Sequence, residues 1–295
     1  MSESLTLKLE IEELPRKGRV RQFLRRAVQS SNVVVGVIVL VVVILAVVLA
    51  PLITSFDPIE QFRRERLMPP GSDHPFGTDN LGRDILSRVL YGGRTSLQVG
   101  LFSVAFASIT GTVLGLVAGY YGRWVDSLIM RFIDVLLAFP SILLSLAIVA
   151  ILGKDLRNVM LAVGIATLPI YTRVVRGSTL SVKQVDYIEA ALALGSSTRR
   201  VLFLHILPNV LAPIIVVTTN GIAGAIIAGA ALSFLGLGEQ PPNPEWGNML
   251  SQGRDYLRAA WWITTFPGLA IMVTVLSINL LGDGLRDILD PRLRI

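Results

Sequence analysis

The chain has 295 residues, 52% hydrophobic and 16% charged, with a formal net charge of +6. Soluble domains carry about 25% charged residues, so this composition excludes an ordinary soluble domain and points to the bilayer. Cysteine is absent, which excludes disulfides, thiol chemistry and cysteine-ligated metal. The positive charge sits at the edges of lipid-length runs, where positive-inside bias and anionic headgroups account for it. With no aromatic–basic interleaving and no zinc spacing, no nucleic-acid partner is expected.

The first apolar run, Val33 to Ile53, holds no charge across 21 residues. At 1.5 Å per residue it spans roughly 30 Å of hydrocarbon. Arg16, Lys17, Arg19, Arg21, Arg25 and Arg26 before it would also suit a cleavable signal peptide. A signal core is only about 7–15 residues long, so the run reads as a retained anchor. Five further spans are expected at Leu97 to Tyr120, Ile129 to Leu152, Val159 to Tyr171, Val210 to Leu235 and Phe266 to Leu281. The fold class is an all-α membrane protein with six transmembrane helices.

Lys and Arg crowd residues 1–32 and the loop 172–209, which an even number of spans separates. The positive-inside rule makes that side the cytoplasm and places both termini there. The expected parts are a cytoplasmic tail 1–32, a first helix 33–53, and an extracytoplasmic loop 54–96 containing an amphipathic helix. A transmembrane core 97–285 follows, interrupted by a cytoplasmic loop 173–209, and then a cytoplasmic tail 286–295. The six arginines of 54–96 oppose this orientation, although six acids accompany them. Outside also lies 236–265, whose "EQPPNPEW" resists a helix until about Gly247. Trp246, Trp261 and Trp262 there suit the headgroup belt.

In the second span Ser103, Ala107, Gly111, Gly115 and Gly119 recur every four residues, and Gly221, Ala225, Gly229 and Ser233 repeat the device in the fifth. Small side chains let a second backbone approach closely, either within the chain or from a partner subunit. Pro140 and Pro169 should kink the third and fourth helices, as path-lining bends or as static ones. Asp126, Arg131 and Asp134 are spaced to pair along one helix face. The spans otherwise lack ionisable groups, which disfavours an ion-coupled carrier. Gly153-Lys154 lacks the upstream glycine of a phosphate loop, and no nucleophile–base–orienter set can be assembled. The chain therefore reads as non-enzymatic, with no cofactor and no metal site, and energy for uphill movement must come from another chain.

Between the fourth and fifth spans lies "EAALALGSSTRRVLFLHILPN". Val182, Val185, Ile188 and Leu192 form a helical stripe over 178–195, Gly195 sits where a left-handed residue would end the helix, and Ser196 or Ser197 can cap the next. Pro208 is expected to close that second helix. Arg199 and Arg200 fall in its first turn, where the helix dipole disfavours cations, so they should face an acidic partner or lipid phosphates.

This stretch resembles the EAA loop of the membrane subunits of bacterial ABC importers, whose pattern is E-A-A, three residues, G, nine residues, I-x-L-P. Glu189, Ala190, Ala191, Gly195, Leu207 and Pro208 match; His205 replaces the isoleucine. "HPFGTDNLGRDILSRVLYGGRTSL", "GLGEQPPNPEWGNML" and "GDGLRDILDPRLR" are similar to the C-type subunit of the dipeptide/oligopeptide/nickel branch, and the resemblance runs from about residue 30 to the end. It implies a type I ABC importer permease fold in the cytoplasmic membrane and alternating access. It implies a paralogous permease partner forming a heterodimer, one or two cytoplasmic ATPase subunits and an extracytoplasmic substrate-binding protein. Asp186, Glu189, Ala190, Ala191, Gly195, Ser196, Arg199, Leu207 and Pro208 would then couple the chain to the ATPase. Peptides are the expected cargo, with nickel chelates and glutathione-like compounds as alternatives.

Overall fold

The computed structural model describes residue 25 and residues 27–289. The basic N-terminal tail, apart from Arg25 and residues 27–32, and the tail beyond residue 289 lie outside the described residues. Helix α1 (Ser31–Val48) is almost wholly aliphatic and is prolonged by one turn at Ala50–Ile53. Helix α2 (Ile85–Tyr121) follows a long irregular segment. A broken pair, α3 (Arg123–Leu137) and α4 (Ser141–Leu152), leads to α5 (Leu156–Lys183). The short α6 (Asp186–Ala193) precedes α7 (Leu207–Phe234), then α8 (Trp246–Gly253) and α9 (Trp262–Leu289) complete the described chain. Among the described residues five helices are long and apolar enough to cross a membrane, and the α3–α4 pair makes a sixth if taken as one bent span.

Several expected boundaries change. No helix forms within 54–84, where prolines 58, 69, 70 and 75 and left-handed glycines 77 and 82 hold the chain irregular; the helical part of the 54–96 loop is residues 85–96. The helix begins instead at Ile85, twelve residues before Leu97, and continues into the second span. Its 37 residues extend about 55 Å, well beyond the roughly 30 Å hydrocarbon layer. The third span is interrupted rather than gently kinked: α3 and α4 meet at 92° around Pro140. Helix α5 passes through Pro169 unbroken and extends to Lys183.

The small-residue row of α2 packs against α5 of the same chain. A Cβ on Gly111 would lie 2.5 Å from the Tyr171 Cβ, one on Gly115 2.7 Å from the Thr172 carbonyl oxygen, and one on Gly119 2.7 Å from the Thr179 Cβ. Ser103 and Ala107 are buried in the same seam, and Gly164 of α5 meets the Ser103 carbonyl from the other side. The row on α7 takes up side chains: Gly221 faces the Tyr171 hydroxyl, Gly229 faces Val99, and Ala225 is buried between. Helix α1 leans on α9, where Gly36 brings its backbone onto Ser277 and Leu281. Close backbone approach of this kind supplies the dispersion contacts that hold helices together in lipid.

Candidate functional site

The chain between α5 and α7 folds as a compact hairpin. After α5 ends, Asp186 and Glu189 occupy the first turn of α6, where the helix dipole favours acids. The helix ends at Gly195, with φ +81°; the Gly195 N–H donates to the Leu192 carbonyl at 3.0 Å and the Ser196 N–H to the Ala191 carbonyl at 3.0 Å. Those two bonds close a Schellman motif, which requires a left-handed residue between them. Ser197, rather than Ser196, caps the next turn by accepting from the Arg200 N–H.

The second arm differs from the expectation. Thr198–Arg200 is α-helical, Val201–Ile206 is a π-helical turn, and both run directly into α7. Pro208 therefore does not close a helix: it lies within the continuous helical run Thr198–Phe234, just after the π-helical turn. The first arm is also shorter than 178–195, because Gln184 and Val185 separate α5 from α6. Of the expected apolar stripe, Ile188 is buried and Val182 half-buried, while Val185 and Leu192 are exposed.

Ile188, Val201 and Ile206 seat the hairpin on Leu116, Val175 and Val210. Lys183 Nζ donates to the Tyr120 carbonyl at 2.6 Å, and the Tyr120 hydroxyl lies 3.4 Å from Thr198 Oγ1. The hairpin is thus clamped to the end of the α2–α5 seam. Its outer surface carries Asp186, Glu189, Ala190, Arg199 and Arg200, all exposed, and Gly195 has open space around it. Leu194, 88% exposed, and Phe203, 64% exposed, add an apolar element that the motif reading missed. Their signal was available as apolar residues on either side of a turn, but the π-helical turn that rotates Phe203 outward has no sequence signature.

Asp126 and Asp134 do not pair with Arg131 along α3. Arg176 binds Asp126 through two bonds of 2.5 and 2.6 Å, and Arg173 binds Asp134 at 2.6 Å, joining α3 to α5 just before the hairpin. The kink candidates line no described pocket: Pro140 is exposed at the break, and Pro169 is buried. A pocket of about 770 Å³ lies instead between α5 and α7, beside Pro213.

The opposite end is a rigid cap made by 54–84, the start of α2 and 236–262. His74 is buried, with Nδ1 2.9 Å from Asp84 Oδ1 and Nε2 3.1 Å from Glu65 Oε2. Carboxylates only accept, so each ring nitrogen donates and the imidazole is held protonated. Burial lowers the His74 pKa, but the hydrogen bonds and charges of Asp84 and Glu65 outweigh it and the net shift is upward. Asp84 also caps α2, accepting from the Ser87 N–H and hydroxyl at 2.7 Å each. Beside it Arg83 bonds Asp79 at 2.6 Å and Gln252 at 2.7 Å, and Arg88 reaches the Pro58 carbonyl at 2.9 Å.

Glu245 is buried, and burial raises its pKa despite the N–H groups of Gly247 and Asn248 and the Ser96 hydroxyl that it accepts from. The tryptophans correct the headgroup-belt reading. Trp246 and Trp262 are buried, their indoles donating to the Val89 and Thr78 carbonyls at 2.8 and 3.0 Å; of the three expected there, Trp261 is the exposed one.

Residues 111–295 match the model of binding-protein-dependent transport system inner membrane components, and residues 18–70 match the N-terminal transmembrane domain of oligopeptide transport permease C. The dipeptide transport system permease protein of Alkalihalophilus pseudofirmus is 50% identical over 93% of this chain and 90% of its own. The di/tripeptide permease of Pseudomonas aeruginosa is 45% identical over 93% of each chain. The glutathione transport system permease of Pectobacterium atrosepticum is 49% identical over 93% and 91%. Among solved structures, an inward-facing form of the methionine ABC transporter MetNI shares the fold, with a TM-score of 0.55 at 16% identity over 68% of this chain and 96% of that one.

Proposed function

Because this chain belongs to the binding-protein-dependent transport system inner membrane components, we propose that it is one of two paralogous permease subunits forming the path of a peptide importer. The chain is a multi-pass inner-membrane subunit of an ABC importer and is not itself an enzyme; ATP is hydrolysed by separate subunits. The hairpin end faces the cytoplasm, and the cap faces the binding protein that delivers substrate. Asp186, Glu189, Arg199 and Arg200, with the apolar tip at Leu194, dock the hairpin onto an ATPase subunit.

The observation that carries this reading is the hairpin itself. It is a turn closed by a left-handed glycine, seated on the α2–α5 seam, presenting charges outward. ATPase closure would push this knob, and the seam and the Arg–Asp pairs to α3 would carry the push into the spans. Such motion alternates access to the path without any chemistry in this chain. Peptide cargo is supported by the dipeptide and di/tripeptide relatives, and a glutathione-like cargo by the 49% identical glutathione permease. The test is uptake by vesicles containing the complete importer and its binding protein. ATP-dependent accumulation of labelled dipeptide is expected. Accumulation without ATP, driven by an ion gradient, would overturn the reading.

A further inference from the structure

Helices α5 and α7, with Arg286 of α9, line the open pocket of about 770 Å³, a size suited to a small ligand. They are also the two helices that the hairpin joins, so displacing the hairpin changes the spacing of the pocket walls directly. Most of the wall is aliphatic, but its polar groups are placed at intervals along it. The Asn220 side chain lies midway, and Asn209 and Arg286 lie at the hairpin end, while the Tyr171 hydroxyl is buried and donates to the Val217 carbonyl at 3.4 Å. Pro213 has no N–H, so the helix gives no fourth-residue donor to the Asn209 carbonyl, leaving an acceptor on the same face. Among the described residues lining the pocket, Arg286 is the one charged group. Asp283, one turn earlier on α9, does not line it.

An aliphatic wall interrupted by amide and carbonyl groups, ending in a guanidinium, complements a short peptide. The peptide's amides meet Asn220, and its carboxylate meets Arg286 in a charge-assisted bond. We infer that this pocket is a contact site on the translocation path for short peptides with a free carboxylate, and that Arg286 and Asn220 set that preference. The inference rests on the reading of the chain as a peptide-importer permease. An acyl chain of the bilayer would find no use for Arg286 or Asn220 in such a wall, and a helix of the partner subunit would fill it permanently.

The chain has no cysteine, so one introduced thiol is unique within this subunit. Gly224 lines the pocket and a Cβ there meets nothing within 4 Å, which makes Gly224→Cys the variant of choice; Val216→Cys is the second. Lys154→Cys, exposed in the turn between α4 and α5 and outside the pocket, is the control. The complete importer in vesicles, with its binding protein and ATP, is treated with a hydrophilic thiol reagent with and without dipeptide, against the unmodified importer as background. Labelling of the pocket thiols slowed by dipeptide, with the control thiol unaffected, is expected. Arg286→Gln should lower uptake of subsaturating dipeptide about tenfold, the loss of one charge-assisted bond, and lower uptake of a C-terminally amidated dipeptide much less. Pocket thiols that never react, or react equally with and without dipeptide while uptake persists, would overturn the inference and leave the peptide-importer reading intact. An importer that accumulates no dipeptide at all would overturn that reading instead.

Discussion

At the outer end of the bundle Asp79, Arg83, Asp84, Arg88 and Glu245 are all buried, whereas at the hairpin end Asp186, Glu189, Arg199 and Arg200 stand in solvent. Two of these buried charges find partners in distant parts of the chain, Arg83 in Gln252 and Glu245 in Ser96, while Arg88 Nη2 has no partner among the described residues. The hairpin charges are left outward, and the hairpin is held by three buried aliphatic side chains and the Lys183–Tyr120–Thr198 clamp. A buried ionic network resists deformation because removing any member strands a charge in low dielectric. An aliphatic seat with charges outside tolerates a partner's push. One end of the molecule thus buries its charges in a network, and the other leaves its charges outward on an aliphatic seat.

The largest effect should come from the rigid end. Asp79→Ala would leave Arg83 and Arg88 without their carboxylate and cost about 3–5 kcal/mol, the range for breaking a buried pair. Thermal unfolding of the purified complex should show the loss; an unchanged midpoint would mean that the cap is hydrated and loose. Next, Gly115→Leu forces at least a methylene group into a seam where even a Cβ lies 2.7 Å from the Thr172 carbonyl. Overpacking costs about 1–3 kcal/mol, so assembled complex should fall in yield. Gly195→Val adds no clash, since the space is open, but demands a β-branched residue at φ +81°. The cost is about 1–2 kcal/mol and local to the turn, and Gly195→Asn should be milder.

The pH response sharpens the comparison further. The folded pKa of His74 is raised above its ordinary 6.5. The folded state therefore holds this proton more tightly than the unfolded chain does. Stability from His74 is complete below pH 6.5 and is lost as pH rises through the folded pKa. Unfolding temperature measured from pH 6 to 9 should decline more steeply for the natural protein than for His74→Gln. Identical slopes would show that the imidazole is not held between two carboxylates.

How much of this was legible in the sequence depended on how local the cause is. Gly195 is fixed by its immediate neighbours, so spacing alone placed the left-handed turn. The spans were legible as apolar lengths, though the break at Pro140 reached 92° where a proline kink alone suggested less. The row from Ser103 to Gly119 announced a close approach but not that α5 would fill it, because small residues carry no information about their partner. The cap was opaque. Trp246 is buried by Val89, more than 150 residues away, and Arg83 meets Gln252 at a similar distance. No local pattern distinguishes an indole that bonds a distant carbonyl from one that sits in headgroups. Asp126 likewise found Arg176 rather than Arg131, because five residues along a helix place Arg131 about 140° round the axis from it.

The central claim is that the hairpin is where the ATPase grips the chain. Glu189→Lys tests it most directly, because Glu189 is exposed and the substitution should change stability by no more than about 0.5 kcal/mol. The measurement is recovery of the ATPase subunits with this chain from detergent extracts, at membrane levels matched to the natural protein. The account predicts normal insertion with ATPase recovery and ATP-dependent uptake both strongly reduced. Undiminished recovery with normal uptake, in Glu189→Lys and in Gly195→Val alike, would contradict it.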